Sequence, residues 1–210
     1  LYQGVAALDW NALFDPDLTI RVNVAAIASP LRSLDFATLR IKDAVCDRFR
    51  AQAGRRPSVD TADPDVRIHA FLDAERFTLY LDTSGEPLFK RGYRHAAGEA
   101  PLRENLAAGI LLLTGWTPAM PLLDPMCGSG ALLIEAAQIA RGMAPGHRRS
   151  FAFERLRGFV EPAWTRIREA AASRVMADAK PAIFGSDLYG DALKLARENL
   201  EAAGLADAVS

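Results

Sequence analysis

The stretch Pro121-Leu122-Leu123-Asp124-Pro125-Met126-Cys127-Gly128-Ser129-Gly130-Ala131-Leu132-Leu133-Ile134-Glu135 decides the fold. A short apolar strand ends in an acid, a loop of small residues follows, and an apolar helix begins. In an open parallel sheet, ligands bind outside the carboxyl ends of the strands. Gly128 and Gly130 lack a Cβ, so backbone and ligand can approach closely there. The stretch therefore predicts a pocket for a nucleoside cofactor. No Lys-Ser/Thr pair follows the glycines, which excludes a Walker A loop. A dinucleotide fingerprint requires a third glycine at the position of Leu133.

Downstream of this loop the pattern repeats. Residues 142–180 form a longer excursion with a helix expected near 161–176. Ala182-Ile183-Phe184-Gly185-Ser186-Asp187 reads as a second buried strand, and residues 189–203 as a helix ending at Gly204. Upstream, Pro101 opens a helix through Leu102, Leu106, Ile110 and Leu113, with Gly115 as its stop. Strand, helix, excursion, strand, helix is the beginning of a doubly wound α/β domain of Rossmann-like type, placed at 116–210 after a linker and helix at 87–115.

The first 86 residues read differently. Ile20, Val22 and Val24 alternate with Arg21 and Asn23, as in a half-buried strand. Phe36, Leu39, Ala44, Val45 and Phe49 sit near helical spacing. Val66, Ile68, Ala70 and Leu72 alternate, as do Phe77, Leu79 and Leu81, and the short Asp73-Ala74-Glu75 link makes those two strands a hairpin. The expectation is a separate α+β unit at 1–86 with antiparallel strands.

Bulk properties narrow the function class. Half of the 210 residues are hydrophobic and the net charge is −1, so nucleic acid would have to be met by a local patch. Two distant cysteines, Cys46 and Cys127, give no disulfide framework and no zinc pattern, which fits a reducing cytoplasm. No metal site and no membrane span are expected. The first residue is Leu1 and no signal pattern follows it, so a fragment of a longer protein is expected.

Two acids sharpen the cofactor. Asp124 at a strand end needs a partner, and a ligand carrying an ammonium group is one. Asp187 ends the next strand, where an acid can accept from both ribose hydroxyls; capping the 189–203 helix is the alternative. Asp187 follows Gly130 by roughly three times the ~20 residues of a dinucleotide fingerprint. A nucleoside with an amino-acid tail is thus favoured over a nicotinamide cofactor. Cys127 has no neighbouring base in the sequence and reads as a small loop residue rather than a nucleophile.

Asp124-Pro-Met-Cys-Gly-Ser-Gly-Ala-Leu-Leu-Ile-Glu-Ala-Ala137 resembles motif I of the THUMP-containing RNA guanine-N2 methyltransferases, closest to the bacterial family acting on 23S ribosomal RNA. Leu88-Phe89-Lys90-Arg91-Gly92-Tyr93-Arg94, Ala100-Pro101-Leu102-Arg103-Glu104-Asn105-Leu106-Ala107 and Gly185-Ser186-Asp187 extend the likeness. The resemblance implies that residues 1–86 are most of a THUMP domain with part of a ferredoxin-like segment. It implies S-adenosylmethionine as cofactor. Asp124 and the backbone of Pro125, Met126, Cys127, Gly128, Ser129 and Gly130 would hold the methionine end, Asp187 the ribose and Leu188 the adenine. Pro101 and Leu102 would close the methionine side.

The same family takes its target amine in an Asn-Pro-Pro-Tyr-type loop, and no such loop occurs in these residues. Asn199, the one Asn of the second half, reads as an exposed helix residue. No catalytic residue is named, the catalytic group is expected beyond Ser210, and the chain alone is expected to be inactive. Lys90, Arg91, Tyr93, Arg94 and His95 form the densest basic and aromatic cluster and are the expected RNA contact, with a solvated interdomain linker in which Tyr93 alone is packed as the alternative. Arg55-Arg56 and His147-Arg148-Arg149 read as solvated loops. Two other functions stay open: a non-catalytic RNA-binding module with a scaffold Rossmann-like half, and a THUMP methyltransferase acting on tRNA. Oligomeric state is not legible.

Overall fold

A computed structural model describes residues 1–94 and 101–210. It divides into two units: Leu1–Glu86 with Ser150–Glu161, and Pro87–Arg149 with Pro162–Ser210. Among the described residues, no helix is long and apolar enough to cross a membrane.

The first unit opens with a short helix α1 (Tyr2–Ala6), then strand β1 (Ile20–Ala26), helix α2 (Leu34–Ala53), and strands β2 (Val66–Leu72) and β3 (Phe77–Leu81). The Ser33 hydroxyl caps α2 by accepting from the Phe36 amide at 3.1 Å, and Gly54 ends it in the left-handed region at φ 70°. Helix α2 buries Ala37, Ile41, Ala44, Val45 and Phe49. Phe36 and Leu39, expected on that stripe, are exposed. A turn of about 100° per residue carries both roughly to the opposite side from Ile41.

The sheet order is β1-β2-β3. β2 and β3 form the expected antiparallel hairpin, with the Asp73 carboxylate accepting from the amides of Glu75 and Arg76 at 2.8 and 2.7 Å. β1 and β2, however, are parallel, with Ile20 opposite Val66 and Val22 opposite Ile68. Helix α2 lies between them in sequence and returns the chain to the same edge, so strand direction is preserved. The core gathers Phe14, Ile20, Ile41, Phe49, Val66 and Ile68, with the Phe14 and Phe49 rings 5.0 Å apart.

Residues 150–161, which the sequence reading left within the excursion of the second domain, pack on this first unit. The Phe153 amide donates to the Thr83 carbonyl at 3.0 Å and the Arg157 amide to the Leu13 carbonyl at 2.8 Å. Arg155 pairs with Asp65 at 2.7 Å, Arg157 with Asp15 at 3.0 Å, and Leu156 lies against the core. Non-local backbone pairing of this kind leaves no periodic trace in sequence.

The second unit contains α3 (Glu104–Leu113), β4 (Leu122–Asp124), α4 (Ala131–Ala140), most of α5 (Glu161–Ala172), β5 (Ile183–Gly185) and α6 (Gly190–Ala203). β4 and β5 are parallel, Asp124 opposite Gly185, as the alternation of strand and helix requires. β4 is less enclosed than a buried strand: Leu123 is 64% exposed. α4 is buried nearly all round, and its Leu133 and Ile134 join Ile183, Leu200 and Leu205 in a second core.

Leu133 explains its own identity. A Cβ on Gly185 would lie 2.3 Å from Leu133 Cδ1. In a dinucleotide fingerprint the third glycine gives the helix its close approach to the strand. Here the glycine is on the strand and the leucine on the helix. Gly185→Ala should therefore destabilise the chain by about 1–3 kcal/mol in urea unfolding, and Leu133→Ala should recover part of that loss in the double variant. Strictly additive effects would show that the two sites are not in conflict.

Candidate cofactor site

The loop 124–130 and the turn after β5 are stitched together at the carboxyl ends of the two strands. The Ser186 amide donates to the Asp124 carbonyl at 2.9 Å, and the Cys127 amide to the Ser186 carbonyl at 3.0 Å. The Gly128 amide donates to Asp187 Oδ2 at 2.9 Å. Asp187 Oδ1 accepts from the Tyr189 amide at 3.0 Å. Each carboxylate oxygen thus holds one backbone amide and keeps a second lone pair for a ligand. The expected alternative for Asp187, a cap on the following helix, does not occur: Tyr189 is the residue that precedes α6.

The amides of Tyr189 and then Gly128 hold the Asp187 carboxyl below the usual carboxylate range. The linkage sign follows. A depressed carboxyl stabilises the fold above its ordinary value, and that contribution is lost as pH falls through the lowered one. Asp124 uses Oδ1 for the Met126 amide at 3.1 Å, and among the described residues Oδ2 has no intramolecular partner. Asp124 is half-buried, so this oxygen is within reach of a ligand cation.

The two loop glycines do different work. Gly128 has φ 53°, and a Cβ there would meet open space, which leaves room for a ligand. Gly130 has φ 80°, and a Cβ there would sit 3.2 Å from the Ala196 Cβ. Gly130 therefore lets the start of α4 dock on α6, rather than letting a ligand approach. Met126 and Leu188 flank the two loops with exposures of 82% and 87%. Large apolar groups held in solvent on both sides of an acid suit a flat heterocycle. Pro101 is exposed and Leu102 half-buried, its carbonyl accepting from Arg94 Nη2 at 2.8 Å.

Cys127 is 7% exposed and borders an open pocket of about 380 Å³ lined also by Leu133, Leu193, Leu200 and the exposed Arg197 and Glu201. Burial first, then Asp124 and Asp187, push its thiol up, so it stays protonated. It is not an activated nucleophile.

The basic cluster needs correction. Tyr93 is 1% exposed and cannot stack on a base. Burial, with Glu135 and Glu104 nearby, pushes its phenol well above the ordinary value. Arg91 grips Glu135 of α4 with two bonds, Nε to Oε1 at 3.2 Å and Nη2 to Oε2 at 3.1 Å. Arg94 pairs with Glu104 at 3.3 Å, and both are largely buried. These side chains fasten the linker to α3 and α4. Lys90 remains exposed, and His95 lies outside the described residues. Composition could not separate a packed linker from a binding patch. The matching buried acids, Glu104 and Glu135, were the sequence signal.

Arg148 and Arg149 are committed as well. Arg148 donates to the carbonyls of Ala202 and Ala203 at the end of α6, and Arg149 to the Pro87 carbonyl. Asn199 is 1% exposed, not solvated, and its Nδ2 donates to the Ser129 carbonyl at 3.0 Å. Its place on the stripe Ala196, Asn199, Leu200, Ala203 was the available signal.

Known proteins are similar to this chain. Residues 91–210 match the RMKL-like methyltransferase domain family, and residues 1–82 match the THUMP domain. SMU.472, assigned as a methyltransferase and crystallised with SAH, superposes with a TM-score of 0.88 at 36% identity. A protein of Listeria monocytogenes assigned as an N6-adenine-specific DNA methylase gives 0.87 at 32%. In both cases all of this chain is covered and 55% of the other. The chain thus spans about half their length. TrmN of Thermus thermophilus shares the fold, with a TM-score of 0.64 at 22% identity over 98% of this chain and 48% of that one.

Arg91→Ala leaves Glu135 buried without its cation, and should cost about 3 kcal/mol by urea unfolding. Burial already pushes the Glu135 carboxyl up, against the opposing pull of Arg91. A raised carboxyl gives stability that is full below its unfolded value and lost as pH rises. The deficit of the variant should therefore widen between about pH 5 and 8. A deficit independent of pH would show that Arg91 does not face a charged Glu135.

Proposed function

Because the chain belongs to the RMKL-like methyltransferase family and carries a THUMP domain, we propose that its second unit binds S-adenosylmethionine for methyl transfer to guanine N2 of 23S ribosomal RNA. The observation that carries the cofactor reading is the clamp of the 124–130 loop by Asp187. The two clamped loops carry open space at Gly128, a free oxygen on Asp124, and the exposed Met126 and Leu188. These residues fit a nucleoside with a zwitterionic tail.

When bound, S-adenosylmethionine supplies a methyl group on a sulfonium centre. Asp124 Oδ2 accepts from the ammonium of the tail. The Ser129 amide, which has no acceptor within the loop, and the amino end of α4 would take its carboxylate. The remaining lone pairs of Asp187 accept from the ribose hydroxyls, and Leu188 and Met126 cover the adenine. None of these residues attacks or takes a proton. Their contribution is orientation of the methyl carbon. RNA binding is assigned to the THUMP unit.

SAH bound to a related chain supports this cofactor, and the adenine N6 named for another related protein is likewise an exocyclic amine. Calorimetry should show SAH binding to the 210-residue chain and none for NAD. Asp124→Ala and Asp187→Ala should each weaken SAH at least tenfold, about 1.4 kcal/mol. NAD binding with no SAH binding would overturn the reading. No methyl transfer to 23S rRNA or tRNA is expected from these 210 residues, whose sequence holds no Asn-Pro-Pro-Tyr-type loop. A filter assay with labelled S-adenosylmethionine checks this, and transfer to tRNA alone would replace the rRNA assignment.

A further inference from the structure

Ser129 sits between two glycines that both adopt positive φ, Gly128 at 53° and Gly130 at 80°. Such a segment can rotate its peptide planes at little steric cost. One rotation matters for function. If the Ser129–Gly130 peptide turned over, the Ser129 carbonyl would face the mouth of the site. It would meet the carboxylate end of the cofactor with a negative dipole where amides are needed.

The structure holds this peptide from both sides. The Gly130 amide donates to the Cys127 carbonyl at 2.8 Å. The Ser129 carbonyl accepts from Asn199 Nδ2 at 3.0 Å. Asn199 is 1% exposed, in the third turn of α6, among Ala196, Leu200 and Ala203. Asparagine is a weak helix former, and a buried amide is costly unless it is bonded. Neither property helps the helix. Both make sense for a side chain whose task is to hold a carbonyl. Ala196, one turn earlier, takes the close contact that Gly130 permits. The same stripe of α6 therefore seats the loop and fixes its orientation. Among the described residues, the Ser129 amide has no intramolecular acceptor, which leaves it available to a ligand.

We propose that Asn199 is a positioning residue: by holding the Ser129 carbonyl turned inward it keeps the Ser129 amide and the first turn of α4, the donors not bonded within the loop, open to the cofactor's methionine carboxylate. This rests on the methyl-donor reading of the same loop. Asn199 touches no cofactor atom in this scheme and acts only through the backbone it holds.

Three measurements on the full 210-residue chain test it. Asn199→Leu keeps the branched shape and removes the donor. It should weaken SAH about tenfold by calorimetry and speed amide hydrogen exchange across residues 128–132, with exchange in residues 66–81 unchanged. Asn199→Asp gives a signature that a packing role would not. Its introduced carboxyl can donate to the Ser129 carbonyl only when protonated, so SAH affinity relative to wild type should recover as pH falls. Equal SAH affinity in wild type and both variants, with unchanged exchange at 128–132, overturns the assignment. Should Asn199→Leu fail to fold, the pH dependence of Asn199→Asp decides. If wild type binds no SAH, the methyl-donor reading fails, and the exchange comparison alone still tells whether Asn199 holds the loop.

Discussion

The Asp187 carboxylate holds two backbone amides from two different loops, and the cofactor site depends on that grip. Gly128 belongs to the loop after β4, Tyr189 to the turn after β5. Neither loop packs on its own large side chains: Met126, Leu188 and Tyr189 are all exposed. Joined through one carboxylate and the Ser186 backbone, they form a single rigid rim at the carboxyl ends of two parallel strands. The anion is stabilised by those amides as much as it organises them, which is why its carboxyl is held low. A cofactor entering here would meet donors and acceptors already in place, with little ordering left to do on binding.

Behind the rim, the second unit resolves a spatial conflict through residue size. α4 must start close to both β5 and α6. Gly185 yields to Leu133, and Gly130 yields to Ala196. Asn199 then uses the short distance to reach the Ser129 carbonyl. On the outer side of α4, Glu135 draws in Arg91, and Glu104 of α3 draws in Arg94. The linker is thereby locked by buried ion pairs, each arginine opposite a carboxylate that burial would otherwise penalise. The price of this arrangement is that the cluster most suggestive of RNA contact is spent on packing.

Much of this was legible in residue order. The strand–acid–glycine–helix stretch, its repeat near Asp187 and the chain-wide resemblance led to the methyltransferase family that the residue matches then showed. The hairpin at 66–81 followed from alternation and a short polar link. What misled was solvent exposure. Tyr93, Arg91 and Arg94 look like a patch because a sequence shows charge without showing its partner. Asn199 looks like a surface residue because polarity is a guide to exposure only where no buried carbonyl waits for a donor.

Local sequence determined the elements, the left-handed glycines, the acid at each strand end and the order of strand and helix. Each of these rests on interactions within a few residues: periodic apolar spacing, glycine's conformational freedom and the caps of helices. Only the tertiary structure decided that β1 and β2 run parallel, that residues 150–161 complete the first unit, and which of the two loop glycines faces a ligand. Those outcomes depend on contacts between residues far apart in the chain. Their energy comes from burial and from pairing polar groups at a distance, and neither leaves a pattern that a single stretch of sequence can carry.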